Sequence, residues 1–175
     1  MADFGFRRFY IIGYLEKDGK YLMFHRNRRK HPYLTGWWGG IIGEKRDGEM
    51  IWEAMERILT EETGLTSIKL RYRGMVEFWW TPRDFIGICY FDFKKWTGEL
   101  RTETPLGTYK WVPKEKVHGK MYSKLERGDR MFLKLNEENI KYRFAQFVVD
   151  KDGVPIAGNN FLRRFTDEEM DWWNV

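Results

Sequence analysis

The stretch from Gly43 to Leu65, GEKRDGEMIWEAMERILTEETGL, decides the reading of this chain. Within it Ile51, Ala54, Met55, Ile58 and Leu59 recur at three- and four-residue spacing, which predicts an amphipathic helix over residues 49–63. Gly64 stands where a left-handed residue ends such a helix. Positions 58, 61 and 62 fall on neighbouring sites of one helix face, and Arg57 stands one turn before Glu61, within reach of a charge-assisted bond. Adjacent carboxylates such as Glu61 and Glu62 repel unless a cation neutralises them. Hard oxygen ligands suit Mg²⁺ or Mn²⁺, ions that also bind diphosphate oxygens.

Outward from that stretch, the whole chain sets bounds. Its 175 residues suit a single domain over 1–175, and 42% apolar with 33% charged residues is the composition of a soluble globular protein. Aromatic residues make up 18%, with nine tryptophans, enough to fill a core and also to stack on a flat ligand. The net charge of +5 favours anionic partners such as nucleotide phosphates but supports no specific nucleic-acid binding. The densest basic run, residues 26–31, reads as a solvated loop. Cys89 is the single cysteine, so no intramolecular disulfide framework forms and a reducing compartment is expected. No apolar stretch approaches the ~20 residues needed to span a membrane, and no signal segment opens the chain. These point to a cytoplasmic protein without membrane partners.

Residues 9–15 and 20–25 read as a β-hairpin separated by the turn-rich tetrad Glu16-Lys17-Asp18-Gly19. Residues 68–80, 84–93, 109–112 and 142–150 read as further strands, 130–135 as a helix, and 166–169 as the start of a short final helix. The Trp37-Trp38-Gly39-Gly40 segment reads as a glycine-rich loop, and Met170 to Trp173 as an aromatic terminus packed back on the domain. The outcome is an α/β domain with sheet and helices interleaved.

The central stretch resembles the Nudix box, Gly-x5-Glu-x7-Arg-Glu-U-x-Glu-Glu-x-Gly-U, where U is aliphatic. Gly43, Glu49, Arg57, Leu59, Glu61, Glu62, Gly64 and Leu65 all match. Phe24-His25-Arg26-Asn27, Gly36-Trp37-Trp38, Lys110-Trp111-Val112-Pro113 and Gly128-Asp129-Arg130 further resemble Nudix enzymes that cleanse oxidised purine nucleoside triphosphates. The resemblance implies a mixed sheet sandwiched between helices, and metal-dependent conversion of a nucleoside triphosphate to monophosphate and pyrophosphate. It implies Glu61 and Glu62 as ligands of Mg²⁺ or Mn²⁺, with Glu49 and Gly43 supporting, and Arg57 orienting Glu61. It implies Arg26 as a phosphate contact, and Trp80, Phe85 and Asp129 at the base of the nucleotide.

The pattern fails at two carboxylates. Ile58 stands where the box has a glutamate that binds metal or takes a proton, and isoleucine does neither. Leu106, in Glu103-Thr104-Pro105-Leu106-Gly107, stands where related enzymes carry another metal-binding glutamate. These replacements imply impaired hydrolysis, or a cleft repurposed by evolution or engineering for a more apolar or aromatic ligand. Cys89, with His25 as base, is the alternative nucleophile on the sequence.

Overall fold

The computed structural model describes residues 7–27, 36–81, 84–125, 127–137, 142–152 and 155–165. The expected helix at 166–169, the tryptophans of the terminus and most of the basic run 26–31 lie outside the described residues. Ten strands and three helices follow in the order β1 (Arg7–Lys17), β2 (Lys20–Arg26), β3 (Trp38–Gly39), β4 (Ile41–Glu44), α1 (Ile51–Thr63), β5 (Thr66–Trp79), β6 (Phe85–Thr97), β7 (Glu103–Thr104), β8 (Gly107–Pro113), α2 (Lys114–His118), α3 (Arg127–Glu137), β9 (Tyr142–Val149) and β10 (Pro155–Phe165). A 3₁₀ turn, Tyr122–Lys124, connects α2 to α3.

The hairpin forms as expected: Lys17 opposes Lys20 across Asp18 (φ 50°) and Gly19 (φ 69°), the paired positive φ values that a tight two-residue turn demands. Beyond its turn β1 leaves β2 and runs parallel to β6, with Ile11 opposite Cys89, while β4 pairs β1 antiparallel on its other side. β5 pairs β6 antiparallel and β9 in parallel, so the sheet is mixed. β2 carries β3 and β8 into the second half of the sheet.

Alternation along the strands separates two cores. Ile11, Leu15, Leu22, Phe24, Cys89, Phe91 and Phe93 face α1 and pack with Ala54, Met55, Ile58 and Leu59. Ile12, Tyr14, Met23, Val76 and Tyr90 face the other way and meet Val117 of α2 and Phe132 and Leu133 of α3. Helices therefore cover both faces of the sheet, as the sequence predicts.

The structure departs from the sequence reading at several elements. The box helix starts at Ile51, not at residue 49, because the Glu49 carboxylate accepts the Arg46 N–H (3.0 Å) and closes a turn before the helix. Glu53 then accepts the Met50 N–H (3.0 Å) at the helix start. The segment read as a glycine-rich loop holds β3 and leads into β4, since Trp38 and Gly39 pair with His25 and Phe24. β10 carries no strong local signal; it is defined by its pairing with β9.

Candidate active site on the box helix

Ile58 points inward. It is 2% exposed and belongs to the core beneath α1. It lies so close to the Gly43 backbone that a Cβ there would sit 2.7 Å from Ile58 Cγ1. Position 58 is thus a packing position in this chain, not an open ligand site.

Arg57 is the hub of the helix flank. Its Nε donates to Glu49 Oε1 (2.6 Å) and its Nη2 to Glu49 Oε2 (2.9 Å), a bidentate pair. Nη1 donates to Glu61 Oε2 (3.0 Å) and Nη2 also to the Glu44 carbonyl (3.0 Å). Arg46, a residue no motif singles out, donates from Nη2 to Glu61 Oε1 (3.0 Å). The hydrogen bond from Arg57 holds the Glu49 carboxyl at about 2, well below its ordinary 4.5, and the same bond raises Arg57.

Because the folded value is depressed, the Glu49 contribution to stability is full above pH 4.5 and disappears as the pH falls through about 2. Glu49→Gln is expected to cost roughly 1–2 kcal/mol at neutral pH. Urea unfolding of both proteins should show that gap closing between pH 4.5 and about 2; a pH-independent gap would contradict the assignment.

Glu62 has a different partner from Glu61. It is half-buried and accepts the Tyr109 hydroxyl; burial pushes that hydroxyl up, the Glu62 charge adds to the rise, and Arg26 opposes it. Arg26, a phosphate contact by resemblance, therefore lies in the electrostatic neighbourhood of Glu62 and Tyr109, with its guanidinium 5.6 Å from the Phe24 ring centre. Leu106 packs against the α1-side core, and its carbonyl accepts the Asn27 N–H (2.9 Å). The donor set does not suit a chelated divalent ion. The two glutamates have different partners, Glu61 is occupied by two guanidinium groups, and no group of three His, Cys, Asp or Glu gathers to hold a metal among the described residues.

The residues placed near the base do not converge. By strand alternation Phe85 falls on the same side of β6 as Cys89, and it stacks on Trp79, ring centres 4.4 Å apart. Trp80 is half-buried, its backbone N–H donating to the Asp84 carbonyl (3.0 Å) in the β5–β6 turn. Asp129 lies on the opposite face, 2% exposed, where it accepts the Tyr14 hydroxyl and the Gly40 N–H (2.6 Å). The Gly39-Gly40 pair permits this approach, since a Cβ on Gly39 would meet Asp129 Oδ2 at 2.9 Å.

Cys89 and His25 are also separated, correcting the nucleophile–base pairing. Cys89 is buried in the α1-side core, and burial pushes its thiol up to about 11. His25 stacks on Trp38 (4.4 Å), which packs against the other core. A thiol raised by burial and packed among the apolar side chains of one core, with the imidazole stacked on a ring of the other, is an apolar core residue. Arg46 and Tyr109 are the polar residues the sequence reading missed. Strand alternation with Trp111 was the available signal for Tyr109, whereas nothing local marked Arg46.

The NUDIX domain family model matches residues 6–135. The chain belongs to the Nudix family. Among curated relatives, the 8-oxo-dGTP diphosphatase of Buchnera aphidicola subsp. Schizaphis graminum is 24% identical over 102 residues, spanning 58% of this chain and 74% of that protein. The MutT protein of Bacillus halodurans superposes with a TM-score of 0.72 at 20% identity, covering 89% of this Nudix chain and 97% of its own. The NUDIX domain of Shewanella oneidensis NrtR, solved with ADP ribose, gives 0.55 at 12% identity over 76% of this chain and 86% of that one. Nudix hydrolases generally use divalent metals. No helix among the described residues is long and apolar enough to cross a membrane.

Proposed function

We propose that this Nudix protein is an impaired nucleoside triphosphate diphosphatase. It takes a nucleotide in a MutT-like cleft and converts triphosphate to monophosphate and pyrophosphate far more slowly than a complete box would allow. The observation that carries the reading is Ile58, buried against Gly43 where the family pattern requires a carboxylate. The similarity to an 8-oxo-dGTP diphosphatase supports an oxidised purine nucleotide as substrate, and the ADP-ribose-bound neighbour supports a nucleotide-like ligand more broadly. Arg26 would meet the phosphates beside Glu62 and Tyr109. The Mg²⁺ or Mn²⁺ that the family implies would bind weakly for want of converging carboxylates, and a cytoplasmic location belongs to the same proposal. The reading of a cleft repurposed for an apolar or aromatic ligand has less support, because Ile58 fills the core instead of lining an opening.

Loss of a base or metal ligand removes about 10²–10⁴-fold in rate. Turnover of 8-oxo-dGTP, dGTP and ATP with millimolar Mg²⁺ or Mn²⁺ is therefore expected well below the ~1–10³ s⁻¹ of ordinary enzymes, with nucleotide binding still measurable by calorimetry. Turnover inside that range would overturn the proposal.

A further inference from the structure

Away from α1, on the face covered by α2, the structure opens a groove of about 430 Å³ between β8, α2 and the 3₁₀ turn. Four lysines line it: Lys110 from β8, Lys116 from α2, Lys120 just beyond α2, and Lys124 from the 3₁₀ turn. All four are exposed, and none is in an ion pair with a described residue. No carboxylate among the described residues lines the groove. The neighbouring Lys114 shows the contrast, since its ammonium sits 2.6 Å from Glu16.

One wall is Trp38. Its ring is half-buried and stacked on His25 at 4.4 Å. Its indole nitrogen donates to no described residue. Val112 and Met121, 5% and 6% exposed, form an apolar floor. Four like charges facing one cavity repel each other, and that repulsion is relieved by an anion lying among them.

We infer that this groove binds single-stranded nucleic acid without sequence preference. Lysine ammonium groups are point charges that track phosphates without the fork geometry that selects one planar group. Cations contributed by three successive elements suit consecutive phosphates of a strand better than the one phosphate tail of a mononucleotide. An aromatic wall beside a cationic groove is the arrangement on which bases of any identity stack. The chain-wide charge conceals this, because 26 acidic residues offset 31 basic ones over the whole sequence. The site lies on the sheet face opposite α1, so it does not depend on nucleotide turnover by the box.

Fluorescence anisotropy with a labelled single-stranded oligonucleotide of about ten nucleotides tests the inference. Four phosphate contacts predict a slope of log K against log salt of about −3, from about −0.7 per contact in single strands. The triple variant Lys116→Glu, Lys120→Glu, Lys124→Glu should bind at least ~30-fold more weakly and flatten the slope toward about −1. Trp38→Ala should weaken binding by about ten-fold and leave the slope unchanged. Circular dichroism confirms that each variant is folded, and the exposed lysine changes keep the test intact if the tryptophan variant is not. Unchanged binding by the triple variant overturns the inference. So does equal affinity for inorganic tripolyphosphate, an acidic peptide or anionic lipid vesicles, which would make the groove a general anion patch.

Discussion

Changing Ile58 to glutamate will first destabilise the protein and then, with Leu106→Glu, restore its chemistry. Ile58 is 2% exposed among Ala54, Met55, Leu59 and Phe91, so a carboxylate there is buried without a partner. An uncompensated buried charge costs roughly 3–5 kcal/mol, and urea unfolding in a chelator should record a loss of that order. A divalent ion that binds the folded state alone recovers stability through mass action, so millimolar Mg²⁺ or Mn²⁺ should reverse much of the loss in the double variant. Turnover of 8-oxo-dGTP by that variant should rise at least ~100-fold over the parent chain. A double variant that folds, gains no metal-dependent stability and gains no turnover would show that more than two carboxylates separate this cleft from a working one.

Asp129→Ala should produce a large loss of stability while leaving the box untouched. The carboxylate is 2% exposed and joins three parts of the chain: α3 itself, Tyr14 of β1 through its hydroxyl, and Gly40 through its N–H at 2.6 Å. Alanine leaves both donors buried without that acceptor, at about 1–3 kcal/mol each, so a total near 3 kcal/mol is expected. For a chain of this size that lowers the melting temperature by roughly 6–12 °C. Asp129→Asn keeps a carbonyl acceptor of the same shape and should lose less than half as much. A melting temperature within about 2 °C of the parent for the alanine variant would contradict this role.

The elements with strong periodicity were legible in advance. The three- and four-residue spacing of Ile51, Ala54, Met55, Ile58 and Leu59 marks a helix whose buried side is made of those residues, and the structure buries four of them outright. Gly64 ends that helix in the left-handed conformation (φ 76°) because it has no Cβ to strain there. The tetrad Glu16-Lys17-Asp18-Gly19 likewise announces a turn, which the structure places at Asp18-Gly19. β3, β4 and β10 were not legible in the same way, since short strands are stabilised by the partner they pair with rather than by their own pattern. Within the site, the Arg57–Glu61 bond follows from i,i+4 spacing and was foreseeable. The Arg46–Glu61 bond spans fifteen residues and was not. Equally hidden were the different partners of Glu61 and Glu62, Arg46 at one carboxylate and Tyr109 at the other.

By itself, then, the sequence determined the family, the box helix and the isoleucine at position 58 of the box, because each is a matter of residue type at fixed spacing along one segment. The tertiary structure alone decided that Ile58 is sealed against Gly43, that Phe85 and Asp129 stand on opposite faces, and that Cys89 never meets His25. It alone gathered Lys110, Lys116, Lys120 and Lys124 around Trp38. The physical reason is the same in each case: the direction of a side chain follows strand alternation and helix phase, but what it meets there depends on which distant segment the sheet brings alongside.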